Sequence, residues 1–145
     1  VPVINKVIFK NEYYSFSGTT IKPRELTHPI MIKLLEKVNE MEENAEYNGV
    51  FVNWYYDGEE YIGWHSDDEK DLVPSTSIYS ITFGASRKFK IKNKISKETT
   101  DFILDNGTLV IMGGDMQKEY QHCVPKTKKC KESRINLTIR SFIRK

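Results

Sequence analysis

A mainly β domain buttressed by one helix is the fold class that this sequence predicts. Three observations carry the expectation. Short runs rich in β-branched and aromatic residues recur through most of the chain after residue 46. Turn signals such as Asp57-Gly58 and Asn106-Gly107 separate them. One stretch near the N-terminus has convincing helical periodicity.

The helix comes first. Thr27 is its expected cap, and Pro29 suits the first turn. Ile30, Leu34, Leu35, Val38 and Met41 then share one face, with Glu36, Glu40, Glu43, Lys33 and Lys37 elsewhere. The strands follow. YNGVFVNWYY (47–56) is read as one, with EEYIGWH as its return across the Asp57-Gly58 turn. SIYSITFGA (77–85), RKFKIKN (87–93), DFILD (101–105), TLVIMGG (108–114) and RINLTIRSFI (134–143) complete the set. Many short strands between turns argue for a sandwich or a barrel.

The 145 residues suffice for one domain, 1–145, with a substantial core, and leave little room for two. No run approaches the length of a membrane span. VPVINKVIFK lacks the apolar core of a secretory signal, and its first residue, Val rather than Met, leaves room for an upstream segment. Cys123 and Cys130 make no CxxC pair and read as reduced thiols, so an intracellular, nuclear or cytoplasmic, location is expected. The two glycosylation sequons, at Asn106 and Asn136, are discounted because no secretory signal is visible. Net charge is +2, but its distribution is lopsided. Residues 1–85 carry 7 basic and 14 acidic side chains, and residues 86–145 carry 15 and 6. A basic half beside an acidic half suggests a polyanionic partner on one face. With no oligomerisation signal, a monomer is the default.

The densest chemistry lies in GWHSDDE (63–69). On a strand, His65 and Asp67 point the same way. They would supply two ligands of a 2-His-1-carboxylate triad, which suits non-haem Fe(II). Such a tripeptide is common and needs a distal histidine. Of the other two, His28 sits at the helix start and reads as a surface residue, which leaves His122. RINLTIR alternates strictly: Arg134, Asn136, Thr138 and Arg140 take one face, and Ile135, Leu137 and Ile139 the other. Inside a barrel such a polar face would be costly unless a charged ligand paired with it. Two arginines there suit a dicarboxylate. Asn53 and Tyr55 share a face on an earlier strand, opposite Val50, Val52 and Trp54.

This set of motifs resembles the AlkB family of Fe(II)/2-oxoglutarate-dependent dioxygenases. The matching text runs from YSFSG (14–18) through NWYYDGEEYIGWHSDDEKDL (53–72) and SIYSITFGASRKFKIK (77–92) to HCVPK (122–126) and RINLTIR (134–140). The likeness is greatest to the DNA dealkylases of the oxidative demethylase branch. It implies a double-stranded β-helix, or jelly roll. His65, Asp67 and His122 would ligate iron. Asn53, Tyr55, Arg134, Asn136, Thr138 and Arg140 would hold 2-oxoglutarate, with Arg134 on the distal carboxylate. The implied reaction uses O2 and converts 2-oxoglutarate to succinate and CO2 while an N-alkyl carbon of a base is hydroxylated and leaves as an aldehyde.

The implied substrate is DNA or RNA carrying alkylated bases such as 1-methyladenine or 3-methylcytosine. Such a base must be flipped into a pocket. Tyr14, Ser15 and Phe16 would form its wall, and Asp68 would contact the base; Glu69 reads as a solvated or supporting acid. Arg87, Lys126, Lys128, Lys129 and Lys131 are the phosphate candidates, whereas Lys88, Lys90, Lys92 and Lys94 read equally as a solvated strand face. Two other functions stay open: an oxygenase of a protein or small molecule, and a catalytically silent nucleic-acid-binding module.

Overall fold

The computed structural model describes residues 5–10 and 24–143. In chain order the elements are β1 (Asn5–Lys10), β2 (Arg24–Glu25), α1 (Pro29–Met41), β3 (Gly49–Tyr55), β4 (Ile62–His65), β5 (Ile78–Gly84), β6 (Arg87–Asn93), β7 (Thr99–Leu104), β8 (Leu109–Met112), α2 (Met116–Glu119), β9 (Tyr120–Val124) and β10 (Arg134–Arg140). They build a six-stranded sheet, β2-β1-β3-β10-β5-β8, and a four-stranded one, β4-β9-β6-β7. Every pairing but β1–β2 is antiparallel. This is the mainly β, two-sheet architecture expected of a double-stranded β-helix.

Period-two alternation sorts each central strand of the large sheet into two faces. On its outer face Val50, Tyr79, Leu137 and Ile139 pack with Leu35 and Val38 of α1. Between the sheets Tyr55, Ile78, Phe89, Leu104, Met112 and Val124 form a second core. The helix therefore buttresses the sheet, but its buried stripe is narrower than its periodicity suggests. Ile30 and Met41, in the terminal turns, are 59% and 52% exposed. Its cap is His28, not Thr27: Nδ1 accepts the Ile30 N–H at 3.2 Å. Pro29 forces the preceding residue into an extended conformation, which places the capping position on His28. That residue is exposed, as expected.

Two turn signals are real turns but not hairpins. Asp57-Gly58 joins β3 of the large sheet to β4 of the small one, so EEYIGWH does not return along YNGVFVNWYY. Asn106-Gly107 likewise links β7 to β8 across the sheets, with Gly107 at φ +83°. Gly58 is bound on both sides by the 127–130 loop: its N–H donates to Cys130 O at 2.9 Å and its carbonyl accepts from Thr127 N at 2.9 Å. A Cβ there would lie 1.9 Å from the Thr127 carbonyl oxygen, so only glycine fits. Strands β1, β2 and β9 were not expected from sequence.

Candidate metal centre and co-substrate cavity

Three strands of the large sheet place one polar face inside the molecule. Across β3 and β10, Tyr55 opposes Arg134, Asn53 opposes Asn136, and Phe51 opposes Thr138. Across β10 and β5, Asn136 opposes Thr82, and Thr138 opposes Ser80. Facing residues share a side of the sheet, so these groups converge. Arg134, Asn136, Thr138 and Arg140 are all buried. Part of this face satisfies itself. Asn136 Oδ1 accepts from Ser80 Oγ at 2.9 Å and from Thr82 Oγ1 at 3.3 Å. Its Nδ2 donates to Thr138 Oγ1 at 3.2 Å, and Arg134 Nη2 donates to Thr82 Oγ1 at 2.9 Å. The rest stays open: Arg134 Nε and Nη1, Arg140 Nε and Asn53 Oδ1 have no hydrogen-bond partner among the described residues. Buried donors in that condition are costly, and a carboxylate would satisfy them.

The small sheet brings the titratable groups to the same place. His65 opposes His122 across β4 and β9, with ring centres 4.2 Å apart. A bulge makes this possible. Three steps along β4, from Ile62 to His65, answer two along β9, from Val124 to His122. In even register Trp64 would face His122 instead. Asp67 is not on the strand as expected; it lies two residues beyond it. Side-chain bonds do the work of the missing ladder there. Gln117 Oε1 accepts the Asp67 N–H at 2.7 Å, and Ser66 Oγ donates to the Tyr120 carbonyl at 2.6 Å. Asp67 Oδ1 thus sits 3.6 Å from His65 Nε2, and Oδ2 sits 3.3 Å from His122 Nε2.

One ligand atom from each of His65, Asp67 and His122 lies within 4.8 Å of the others, a grouping that could hold a metal ion. The ionisation states suit one. Burial opposes charge on Asp67, but Arg140 and the two imidazoles outweigh it and hold the carboxyl below the usual carboxylate range. Burial, helped by His122, lowers the pKa of His65 and favours its neutral form. Its Nδ1 meets the Gly63 carbonyl at 2.7 Å, which makes Nδ1 the protonated nitrogen and leaves the Nε2 lone pair free. An ionised carboxylate and neutral imidazoles are the metal-binding forms.

All nine proposed ligand and co-substrate residues line one cavity of about 100 Å³, together with Glu69, Ser80 and Met112. A larger cleft of about 590 Å³ adjoins it, sharing Asp67, Glu69 and Met112, and one of about 800 Å³ lies apart; neither is lined by His65 or His122. Arg140 closes one end by donating to Asp67 Oδ1 at 3.1 Å and to Glu69 Oε1 at 3.2 Å. Arg134 lies at Tyr55, its guanidinium carbon 5.1 Å from the ring centre. Burial raises the Tyr55 pKa, against the pull of Arg134 and Arg87, so its hydroxyl stays protonated and can donate.

Not every expected residue arrives. Tyr14, Ser15 and Phe16 lie outside the described residues. Asp68 is exposed and does not line this cavity, whereas Glu69 does. Arg87 is not available for phosphate contact. It is 2% exposed, and backbone carbonyls of Asp57, Glu60 and Pro125 take its guanidinium. The alternating lysines largely have partners: Lys88 and Lys90 meet Asp101, Lys92 covers Trp64, and Lys94 donates to the Gln117 carbonyl. Sequence reasoning missed Ser80, Thr82 and Gln117. The first two were visible in SIYSITF, where hydroxyls alternate with Tyr79, Ile81 and Phe83.

Comparison with known proteins agrees with this geometry. The family model of the 2OG-Fe(II) oxygenase superfamily matches residues 6–140. The alpha-ketoglutarate-dependent dioxygenase alkB homolog 3 of Bos taurus is 37% identical over 139 residues, which are 88% of this chain and 48% of that protein. The same-named protein of Homo sapiens gives the same figures. The DNA oxidative demethylase ALKBH2 of Mus musculus is 33% identical over 138 residues, 90% of this chain and 57% of that protein. The chain spans about half the length of the relatives it matches. The chain belongs to the 2OG-Fe(II) oxygenase superfamily.

Proposed function

We propose that this chain, acting as one domain over 1–145, catalyses oxidative dealkylation of N-alkylated bases in DNA or RNA, with Fe(II), 2-oxoglutarate and O2. One observation carries the reading. A histidine–aspartate–histidine cluster shares one cavity with a buried arginine that has two donors unsatisfied among the described residues. The relatives named for dioxygenase and DNA demethylase activity support the substrate class.

In this reading His65, Asp67 and His122 hold the metal, which when bound supplies oxidation by O2 coupled to decarboxylation of 2-oxoglutarate. Arg134 and Tyr55 take the distal carboxylate through charge-assisted hydrogen bonds. Asn53, Asn136 and Arg140 orient the keto-acid end, and Thr138 holds the Asn136 amide in place. Arg140 also keeps Asp67 ionised and directed toward the imidazoles. The walls Phe51, Ile62, Phe89 and Val124 exclude water from the cavity.

Substrate contacts come from the rim. In this reading Tyr14, Ser15 and Phe16, which lie outside the described residues, would form the pocket wall, with Phe16 stacking on the flipped base. Between the two neighbouring acids, the cavity position of Glu69 favours it over Asp68 as the group that meets a cationic base. Lys126, Lys129 and Lys131 line the 800 Å³ cleft and, with the exposed Lys128, serve as phosphate contacts, Lys126 exchanging its 3.2 Å ion pair with Glu59 for the phosphate. The two free thiols fit an intracellular enzyme, and a monomer is the default. No helix among the described residues is long and apolar enough to cross a membrane.

Succinate release tests the reading. Methylated oligonucleotides should stimulate it, and methylated peptides should not; the reverse pattern would move the substrate to proteins. His65→Ala, Asp67→Ala or His122→Ala should abolish it, and full turnover in any of them would remove the metal assignment. Iron bound without turnover on any substrate would favour the silent binding module.

A further inference from the structure

Arg87 opens β6 in the small sheet, yet its side chain lies against Tyr55 of the large one, a residue that lines the cavity between them. Its guanidinium carbon lies 5.4 Å from the centre of the Tyr55 ring, and that of Arg134 lies 5.1 Å from the same centre. Two buried cations thus contact one aromatic ring. The acceptors on Arg87 are neutral carbonyls, of Asp57 at 3.1 Å, Glu60 at 2.9 Å and Pro125 at 2.9 Å, so they fix its position without cancelling its charge. Those carbonyls belong to the crossover that follows β3 and to the residue that follows β9. Arg87 therefore cannot swing away without disturbing the segments that carry Tyr55 and His122. Arg134, beside it, keeps Nε and Nη1 without partners among the described residues. Paired cations in a dry interior repel each other, and a single anion at Arg134 relieves both.

We propose that Arg87 is a positioning residue that makes the cavity selective for a dicarboxylate co-substrate, acting through Tyr55 and Arg134 without touching the ligand. The inference rests on the co-substrate reading above and adds to it a residue outside the cavity lining. It also explains why an arginine stands among the apolar inner residues Phe89 and Ile91 of the same strand. A backbone brace alone would not require a permanent charge 5.4 Å from the co-substrate tyrosine.

The test compares two ligands in the Fe(II)-loaded protein without O2, by calorimetry. One is 2-oxoglutarate. The other is 2-oxopentanoate, which has the same chain and keto acid but no distal carboxylate. Arg87→Gln removes the charge and keeps amide donors, and Arg87→Lys keeps the charge. The expected result is about a tenfold loss of the 2-oxoglutarate to 2-oxopentanoate affinity ratio in Arg87→Gln, about 1.4 kcal/mol. Arg87→Lys should hold the ratio within about twofold of wild type, because it keeps the charge. Equal weakening of both ligands in Arg87→Gln would reduce Arg87 to a structural brace and overturn the proposal. A collapsed ratio in Arg87→Lys would also overturn it, and that arm stands if Arg87→Gln does not fold. Wild-type protein that binds neither ligand would instead overturn the co-substrate reading itself.

Discussion

Replacing Asp67 by Asn should destabilise the metal-free protein, although one charge leaves a crowded polar interior. The reason is Arg140. Its side chain is 7% exposed and donates to Asp67 at 3.1 Å. Removing one member of a buried pair costs about 3–5 kcal/mol, because the partner stays charged in a dry site. Two features lower that figure here. The introduced amide retains a carbonyl acceptor, and Glu69 still accepts from Arg140 at 3.2 Å. Glu69 is 46% exposed, so solvent screens much of its contribution. About 2.5 kcal/mol remains, or about 8 °C in Tm for a chain of this size. Arg140→Met removes the stranded charge, so Asp67→Asn added to Arg140→Met should cost much less than Asp67→Asn alone. Urea melts of the four proteins in chelator give the coupling energy, expected at about 2 kcal/mol. Additivity within about 0.5 kcal/mol would refute the reasoning, because Arg140 and Asp67 would then not act as a pair.

Three further outcomes follow from the same geometry. Arg134→Met should weaken 2-oxoglutarate binding by about 2 kcal/mol, near thirtyfold, while iron affinity measured by dialysis stays unchanged; a parallel loss of iron would contradict separate roles. Gln117→Met removes the acceptor of the Asp67 N–H and should lower metal affinity about tenfold with a normal melting curve, and unchanged affinity would show that Ser66 alone holds the loop. At alkaline pH the helix–sheet core should weaken. Burial and the Glu42 carboxylate raise the Tyr79 pKa from 10.0 to about 12. The folded form therefore keeps a proton that the unfolded chain loses, and stability falls as pH rises from 10.0 to about 12. Tyr79→Phe should flatten that decline, and an unaltered slope would place the effect elsewhere.

The sequence displays the co-substrate face well because strand parity is strict. Arg134, Asn136, Thr138 and Arg140 converge as alternation requires, and so do Asn53 and Tyr55. Parity would also have removed Arg87 from the phosphate candidates, because it falls in step with Phe89 and Ile91 and not with Lys88, Lys90 and Lys92. Sheet membership was less legible. A Gly-containing turn specifies a local reversal, but not whether the next strand joins the same sheet or crosses to the other. At Asp57-Gly58 the deciding contact is with residues 127–130, some seventy positions away. The bulge that turns His65 toward His122 is equally nonlocal, since it is defined only by the pairing of β4 with β9. Asp67 reached its expected place by side-chain bonds from Ser66 and Gln117, not by continuing the strand. Strand β9 was missed because YQHCV follows directly from the one-turn helix α2, with no turn residue between.

The dealkylase reading is tested most sharply by mass spectrometry of oligonucleotides carrying 1-methyladenine or 3-methylcytosine, single-stranded and duplex, incubated with the protein, Fe(II), ascorbate and O2, with and without 2-oxoglutarate. Loss of one methyl group is expected only when 2-oxoglutarate is present, and no loss with Asp67→Ala. Unchanged oligonucleotides in a protein that binds both iron and 2-oxoglutarate would contradict that reading.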